Sequence, residues 1–261
     1  TMDEGTRGRV IPVRDIPEED LAAWRELAAN AAEPNPFFEP EFVGPAAAHL
    51  EHGDETVLLV SVEWTGWAVC LPARLGRWRR AVDAVWGLRT PYTFLTTPLV
   101  RAGDEAGRIG SFLANARELT GKRALVLERY GANGPVGGAI NARIGSGGLI
   151  EAASAQFERA LLRRREDGDY HGWMSKKHLR DLRRRANRLE DAVGETEILD
   201  LSHDPDAPQI FLALESSGWK GRAGTAMACR EGDARFFVEV CERFRENGRL
   251  EMLAICAGEK V

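Results

Sequence analysis

The spacing of apolar residues along the chain changes from a helical period to a strand-like alternation and back. One side of a predicted helix at residues 15–32 is formed by apolar residues three or four positions apart: Leu21, Trp24, Leu27 and Ala28. A short apolar stretch at residues 10–13 predicts a strand before it. Residues 56–64 and 67–71 are apolar, β-branched and aromatic in character, and the Thr65-Gly66 pair that separates them predicts a hairpin.

The same patterns predict the remaining elements. Helices are expected at residues 42–50, 104–119, 154–166, 175–193, 206–217 and 233–247. Extended segments are expected at residues 77–86, 91–100, 124–129, 195–201 and 250–257. Because an extended segment, a helix and another extended segment follow one another in residues 91–129, we expect a parallel strand pair within a mixed sheet. Seven glycines in residues 131–148 predict a turn-rich join between two halves of the chain.

The strongest amphipathic pattern lies in residues 175–193. Its apolar positions recur three and four residues apart: Leu179, Leu182, Ala186, Leu189 and Val193. Gly194 follows as a stop signal. We therefore expect a helix whose apolar stripe, including Leu182 and Leu189, faces a core, while its many cations occupy the other faces.

The bulk composition is that of a globular protein, but its charge is uneven. The chain has 261 residues, of which 44% are hydrophobic and 29% charged, and its net charge is −5. Residues 163–188 hold ten Lys and Arg against four Asp and Glu, a net charge of +6, which leaves −11 for the rest. A local positive surface of this kind attracts anions even on an acidic protein.

No apolar run reaches the length of a signal peptide core or of a membrane span, so we expect a cytoplasmic protein with no membrane span. The four cysteines are widely spaced and form no CxxC pair: Cys70, Cys229, Cys241 and Cys256. This spacing predicts buried thiols in a reducing compartment and no metal site.

Residues 215–226 form the stretch around which the chain is organised. Three glycines within seven residues, at 218, 221 and 224, allow the backbone to approach a ligand or another segment closely. Trp219, Lys220 and Arg222 add a flat aromatic surface and two positive charges. Such a loop suits a phosphate or carboxylate, with Gly218 ending the preceding helix in the left-handed conformation. The alternative is a glycine-rich connection whose cations are merely solvated.

The string Leu-Glu-x-Ser-x-Trp-Lys-Gly-x-x-Gly-Thr-Ala at residues 214–226 resembles a motif of the CelD-like acyltransferases, GNAT-fold proteins associated with bacterial cellulose biosynthesis. Two other segments resemble the same family: Asn-Pro-Phe-Phe-Glu-Pro-Glu-Phe at 35–42 and Ser-Lys-Lys-His-Leu-Arg-Asp-Leu-Arg-Arg at 175–184. Their order and spacing also fit, so the resemblance extends over most of the chain.

The resemblance implies an α/β fold of two GNAT-like mixed-sheet domains with flanking helices, at residues 10–150 and 151–261. It implies transfer of an acyl group, acetyl in the first instance, from acyl-CoA to an amine or hydroxyl of a small-molecule or polysaccharide-related acceptor. The family's acyl-CoA loop, Gln/Arg-x-x-Gly-x-Gly/Ala, is not evident in residues 1–261. We therefore expect it beyond Val261, and the second domain to be incomplete at its C-terminus.

Two carboxylates are candidates for the catalytic base, Glu215 beside the loop and Glu39 in the 35–42 segment, although solvation on a helix surface is the alternative for both. The proposed substrate-binding residues lie in the loop and in the basic segment: Trp219, Lys220, Gly221, Arg222, Gly224, Thr225, Lys176 and Arg180. His171 lies beside an aromatic residue and could carry a proton, but a structural histidine is the favoured interpretation.

Two other classes of function remain open. The chain could be a non-catalytic binding module for an anionic polymer, using the cations of residues 163–188 together with Trp219. Binding to nucleic acid is less favoured, because the sequence contains no RNP-like aromatic motif, zinc-finger spacing or helix-turn-helix pattern.

Overall fold

A computed structural model describes residues 6–79, 81–146, 155–160, 165–168, 172 and 174–257. The chain divides into two compact units. The first consists of Thr1–Glu151 with Pro208–Glu246, and the second of Ala152–Ala207 with Asn247–Val261. The predicted division into domains at residues 10–150 and 151–261 stays a prediction.

The first unit contains a mixed sheet. Its strands are β1 (Arg7–Pro12), β2 (Val57–Glu63), β3 (Gly66–Trp78), β4 (Val82–Gly87), β5 (Leu99–Val100) and β6 (Ala124–Val126). Their order is β1-β2-β3-β4-β6, with β5 paired to β3. All pairs are antiparallel except β4 with β6, in which Val85 lies opposite Leu125. The predicted hairpin of β2 and β3 is present, and Gly66 in its turn has a φ of 118° that favours glycine.

Two of the predicted extended segments are wrong in detail. Residues 77 and 78 are the end of β3, residues 82–86 belong to β4, and Arg79 after β3 has a φ of 48°. In residues 91–100 only the last two are in a strand, and Thr93, Thr96 and Thr97 are buried in the preceding loop. The parallel pair therefore joins β6 to β4 rather than to the 91–100 segment.

Helices pack against this sheet and against one another. They are α1 (Glu18–Ala29), α2 (Pro40–His49), α3 (Glu105–Thr120) and α4 (Pro135–Gly145), followed later in the chain by α6 (Ala207–Ser217), α7 (Trp219–Arg222) and α8 (Glu231–Glu246). Helix α3 begins where Asp104 accepts a hydrogen bond from the Gly107 amide, and it ends at Gly121, whose φ is 65°.

Helix α4 contradicts the predicted turn-rich join at residues 131–148. Pro135 stands at its first turn, where a missing N–H costs nothing, and Val136 and Ala139 are buried. A Cβ on Gly137 would lie 2.3 Å from the Gly131 carbonyl oxygen. This glycine therefore permits close packing inside a helix and does not mark a turn.

The core of the first unit is built from large apolar side chains that are almost wholly buried, among them Trp24, Leu27, Phe38, Leu58, Leu71 and Leu99. Helices α2 and α8 are joined by an edge-to-face contact of Phe42 with Phe236, whose ring centres are 5.2 Å apart. A hydrogen bond between His49 of α2 and Glu239 of α8 also joins them, with His49 Nε2 2.5 Å from Glu239 Oε2.

The described part of the second unit consists of α5 (Lys176–Val193), β7 (Thr196–Asp200) and β8 (Leu253–Ala257). Strands β7 and β8 are antiparallel, with Ile198 opposite Ile255. Ser175 caps α5 by accepting a hydrogen bond from the His178 amide, and Gly194 ends the helix with a φ of 90°.

The predicted helix at 154–166 is wrong for residues 155–160, which have no regular secondary structure and expose Phe157. Its predicted cap and inward leucines, Ser154, Leu161 and Leu162, lie outside the described residues.

The apolar stripe of α5 does not face a core among the described residues, so that prediction is also wrong. Leu182 is 45% exposed, and Leu189 and Val193 are exposed as well. Helical periodicity shows which residues share a face, but it does not show what that face contacts.

We expect Leu182→Ala to lower the free energy of unfolding by less than about 1 kcal/mol, because much of this side chain is already in water. Leu27→Ala should cost about 2–5 kcal/mol, because Leu27 is 0% exposed and its removal leaves a cavity. Urea unfolding of the two variants measures both values, and equal losses would show that the stripe is buried.

The mixed α/β fold class is confirmed. Cys70, Cys241 and Cys256 are buried as predicted, but Cys229 is exposed. Burial raises the pKa of the Cys241 thiol to about 11. Within the described ranges, no helix is long and apolar enough to cross a membrane.

Candidate functional site

The loop at residues 215–226 is held together by one carboxylate. Glu215, near the end of α6, accepts a hydrogen bond from Lys220 Nζ at 2.6 Å through one oxygen. Its other oxygen accepts a hydrogen bond from the Met227 amide at 2.8 Å. The Glu215 side chain is only 9% exposed, so these bonds are shielded and fasten α7 and the following turn to the end of α6.

The hydrogen bond from Lys220 lowers the pKa of Glu215, against the opposing effect of its burial. A general base that works near neutral pH is best served by a pKa raised toward 7. The geometry of Glu215 suits a residue that fixes the loop, and its assignment as a catalytic base stays a prediction.

The three glycines of the loop differ in their backbone conformation and in the space around them. A Cβ on Gly221 would lie 1.7 Å from the Ser216 carbonyl oxygen, because α7 packs directly on the end of α6. Gly224 has a φ of 68°. Gly218 has a φ of −86° and a ψ of −160°, so the predicted left-handed conformation at this position is wrong.

The carbonyl oxygen of Lys220 closes the loop. It accepts hydrogen bonds from the amides of Thr225 at 2.9 Å and Ala226 at 3.3 Å, and Ala226 is buried. Much of the motif therefore forms a compact helical turn, where the sequence had predicted a loop.

Two side chains of α7 extend outward from this scaffold. Trp219 is 67% exposed, so its ring is available for contact with a ligand. Arg222 is exposed and makes no ion pair among the residues that the structure describes. Because they are three residues apart on a helical turn, both lie on the same side of α7. Lys220 differs, since its charge is matched by Glu215.

A second group of polar residues lies where α8 begins, in the same unit. Tyr92 stacks on Phe236 with ring centres 5.2 Å apart and an interplanar angle of 20°. Burial is the main cause that raises the pKa of Tyr92. The hydrogen bond between Tyr92 and Asp233 is the second cause, and the charge of Glu215 also raises this pKa. Tyr92 was not among the site residues predicted from the sequence. Residues 91–100 were expected to be a strand of the sheet, and no motif marks Tyr92 as part of a site.

The 35–42 segment joins this group through Phe42, which also contacts Phe236. The Asn35 side chain donates to the Thr97 carbonyl at 2.7 Å and accepts from the Phe37 amide at 3.1 Å. Glu39 is buried immediately before α2. The structure thus brings two of the three motif segments into the first unit, and the proton-accepting role of Glu39 stays a prediction.

The third segment, with Lys176 and Arg180, belongs to the second unit. Six residues of this region line an open concavity of about 440 Å³: Ser175, Lys177, His178, Arg180, Asp181 and Arg184. Asp181 is paired with Arg184 at 2.6 Å and with Arg185 at 2.9 Å. The hydrogen bond from Arg184 is the main cause that lowers the pKa of Asp181. His171 lies outside the described residues.

Across the described ranges, no group of three or more His, Cys, Asp and Glu side chains is placed to hold a metal ion.

The lowered pKa of Glu215 predicts how stability depends on pH. Its ion pair stabilises the folded state above the ordinary glutamate pKa of about 4.3, and this contribution is lost as the pH falls through the lowered folded-state value. Glu215→Gln should therefore be less stable than the wild type by about 1 kcal/mol at pH 7, and the difference should shrink below pH ~4. Urea unfolding across this range tests it, and a difference that does not change with pH would contradict the assignment.

Comparison with known proteins gives a partial match. Residues 176–261 match the family model described as an acetyltransferase (GNAT) domain. No curated protein matches the chain. Among solved structures, the chain is similar to wild-type TTHA1254 from Thermus thermophilus and to a point mutant of that protein. In each case the identity is 17%, the TM-score is 0.32, and the alignment covers 60% of this chain and 99% of the other.

Proposed function

We propose that the protein transfers an acyl group, acetyl in the first instance, from acyl-CoA to an amine or hydroxyl acceptor. The observation that carries this proposal is the match of residues 176–261 to a GNAT acetyltransferase domain, because such domains generally use acyl-CoA. The matched segment contains both the basic helix α5 and the loop fastened by Glu215.

In this reaction the acceptor attacks the thioester carbonyl, a C–N or C–O bond forms and the C–S bond breaks. The acceptor loses a proton to a base, and the departing thiolate takes one up. Backbone N–H groups stabilise the oxyanion that develops on the carbonyl. We propose Glu39 or Glu215 as the carboxylate that takes the proton from the acceptor. Glu215 would have to break its hydrogen bond with Lys220 before it could take up that proton.

Trp219 and Arg222 are proposed to contact the acceptor, since the rest of the loop fixes their position. In this account Lys220, Gly221, Gly224 and Thr225 shape the surface. Lys176 and Arg180 fit an anionic group, such as the phosphates of acyl-CoA, because both are exposed cations. A polysaccharide-related acceptor, a link to exopolysaccharide or cellulose synthesis and a cytoplasmic location are proposed from the resemblance of the three motif segments.

The proposal is tested with protein expressed from its complete reading frame. Calorimetric titration with acetyl-CoA should give a micromolar dissociation constant, about −8 kcal/mol. Release of the CoA thiol should then be followed with a panel of primary amines and of sugars. No binding of acetyl-CoA at millimolar concentration by the folded protein would overturn the proposal.

A second candidate function is a non-catalytic binding module for an anionic polymer. It is favoured by the exposed cations of α5, which outnumber the carboxylates beside them. The two candidates differ in salt dependence, because binding through many phosphates weakens steeply as ionic strength rises.

A further inference from the structure

Glu215 differs from other carboxylates of the first unit in the cation that holds it. Asp20 and Glu63 are each held by an arginine that donates one hydrogen bond to each carboxylate oxygen. Glu215 instead receives the ammonium of Lys220 on one oxygen and the Met227 amide on the other. An arginine fork fixes a carboxylate in two places, whereas a lysine ammonium is a point charge on a flexible stem. The contact with Lys220 is therefore of the kind that exchanges easily.

The backbone of Lys220 is fixed although its side chain is not. Its carbonyl oxygen accepts hydrogen bonds from the Thr225 and Ala226 amides. A Cβ on Gly221 would lie 1.7 Å from a carbonyl oxygen of α6, so α7 is tightly packed at this point. The Lys220 side chain is 44% exposed, and among the described residues its ammonium hydrogen-bonds to Glu215 alone. The ammonium can therefore turn toward water while α7 stays in place.

If the Lys220 ammonium leaves, Glu215 keeps its position. Its Oε2 stays bonded to the Met227 amide at 2.8 Å. The Glu215 side chain is only 9% exposed, and a shielded carboxylate oxygen without a donor is costly. Trp219 and Arg222, which we propose to contact the acceptor, lie on the same short helix as Lys220. An acceptor held there can supply the missing donor to Oε1.

We propose that Lys220 is a positioning residue that masks Glu215 in the free protein, and that the acceptor displaces it by placing an N–H or O–H on Glu215 Oε1. This inference rests on the proposed acyl transfer and concerns the regulation of its site. The acceptor nitrogen or oxygen forms its bond to the acyl carbon as the C–S bond breaks. The acceptor proton passes to Oε1, and the departing thiolate takes up a proton from water.

Lys220 also resets the site after the reaction. Its hydrogen bond is the main cause that lowers the pKa of Glu215, and burial opposes this effect. When Lys220 returns to Oε1, the ionised form of Glu215 is favoured again, so the proton is released to water. Without Lys220, burial is opposed by the Met227 amide alone, and we expect the pKa of Glu215 to rise.

The test compares two pH profiles of acetyl transfer by protein from the complete reading frame. The acceptor is the amine or sugar of the panel that gives the fastest release of CoA thiol. The profile of kcat/KM reports the free enzyme, and that of kcat reports the complex. In the wild type, activity should be lost on acidification at a lower pH in kcat/KM than in kcat, because Lys220 is paired with Glu215 only before the acceptor binds. In Lys220→Met the two acid limbs should coincide at the higher pH.

The KM for the acceptor should fall at least ~10-fold in Lys220→Met near neutral pH. An acceptor that binds only when a minor state of at most ~10% is populated loses apparent affinity by that fraction, and the variant removes this loss. Lys220→Arg keeps a cation and should retain the lower acid limb of kcat/KM. The matched control is Arg235→Met, which removes an exposed cation that pairs with Glu231 at 2.5 Å and not with Glu215. It should leave both limbs unchanged.

A second measurement needs no substrate. Carbon-13 NMR of the glutamate carboxyls, with the Glu215 signal assigned from Glu215→Gln, follows the titration of this residue. In the wild type it should titrate below the ordinary value of about 4.3, and in Lys220→Met above that value. Circular dichroism should show that every variant is folded.

Coincident acid limbs in the wild type would overturn the inference, since they would show that Lys220 does not move when the acceptor binds. So would an unchanged Glu215 titration in folded Lys220→Met. In either case acetyl transfer by the wild type would leave the proposed function standing. Absence of any CoA release is a different result: it overturns the proposed function and, with it, this role of Lys220, whatever the NMR titration shows.

Discussion

Gly221→Ala is expected to destabilise the protein by about 3 kcal/mol or more. The added Cβ would lie 1.7 Å from the Ser216 carbonyl oxygen, and backbone cannot move aside as a flexible side chain can. Relieving the clash requires α7 to move away from the end of α6. Such a movement would also pull Lys220 and Met227 away from Glu215 and leave that largely buried carboxylate without partners.

The two neighbouring glycines supply graded controls. A Cβ on Gly218 would meet its nearest atom at 3.7 Å, an ordinary contact, so Gly218→Ala should change stability little. Gly224→Ala should cost about 1–2 kcal/mol, because alanine is strained at a φ of 68°. Urea unfolding of all three variants measures this order, and equal effects at 218 and 221 would contradict the packing of α7 on α6.

Trp24→Ala should lower the free energy of unfolding by about 3–5 kcal/mol. Trp24 is 1% exposed, and its ring nitrogen donates a hydrogen bond to the Phe38 carbonyl at 2.9 Å. The substitution leaves a large cavity and removes the donor from a buried carbonyl oxygen.

Trp64→Ala is the matched control, because Trp64 is 89% exposed in the turn between β2 and β3. It should change stability by less than about 0.5 kcal/mol. A large effect of Trp64→Ala, or a small effect of Trp24→Ala in urea unfolding, would show that the core is wrongly placed.

Elements with clear end signals were predicted well from the sequence. The helix predicted at residues 175–193 is present as α5, Lys176–Val193, and it ends at Gly194 as its pattern indicated. Helix α4 was missed because the sequence does not distinguish a glycine that breaks a helix from one that allows close packing. Gly137 is of the second kind, since it lies against the Gly131 carbonyl. The partner of β6 was also missed, because periodicity alone does not determine strand order.

The loop of the candidate site is recognisable in the sequence, but its internal organisation is not. The motif contains Glu215, Lys220 and the glycines, yet nothing in their spacing shows that Glu215 bonds both Lys220 and the Met227 amide. The exposure of Leu182 was also not predictable, because it depends on what packs against α5. Tyr92 meets Asp233 only through the packing of distant segments.

The most direct test of the central claim is the rate of CoA thiol release from acetyl-CoA by protein from the complete reading frame. It should be measured with the best acceptor of the amine and sugar panel. Trp219→Ala combined with Arg222→Gln should leave the Tm within about 2 °C of the wild type, because both side chains are exposed and outside the Glu215 contacts. The rate should fall at least ~10-fold, a loss of about 1.4 kcal/mol in transition-state stabilisation. An unchanged rate in a folded double variant would contradict the claim that this loop presents Trp219 and Arg222 to the acceptor.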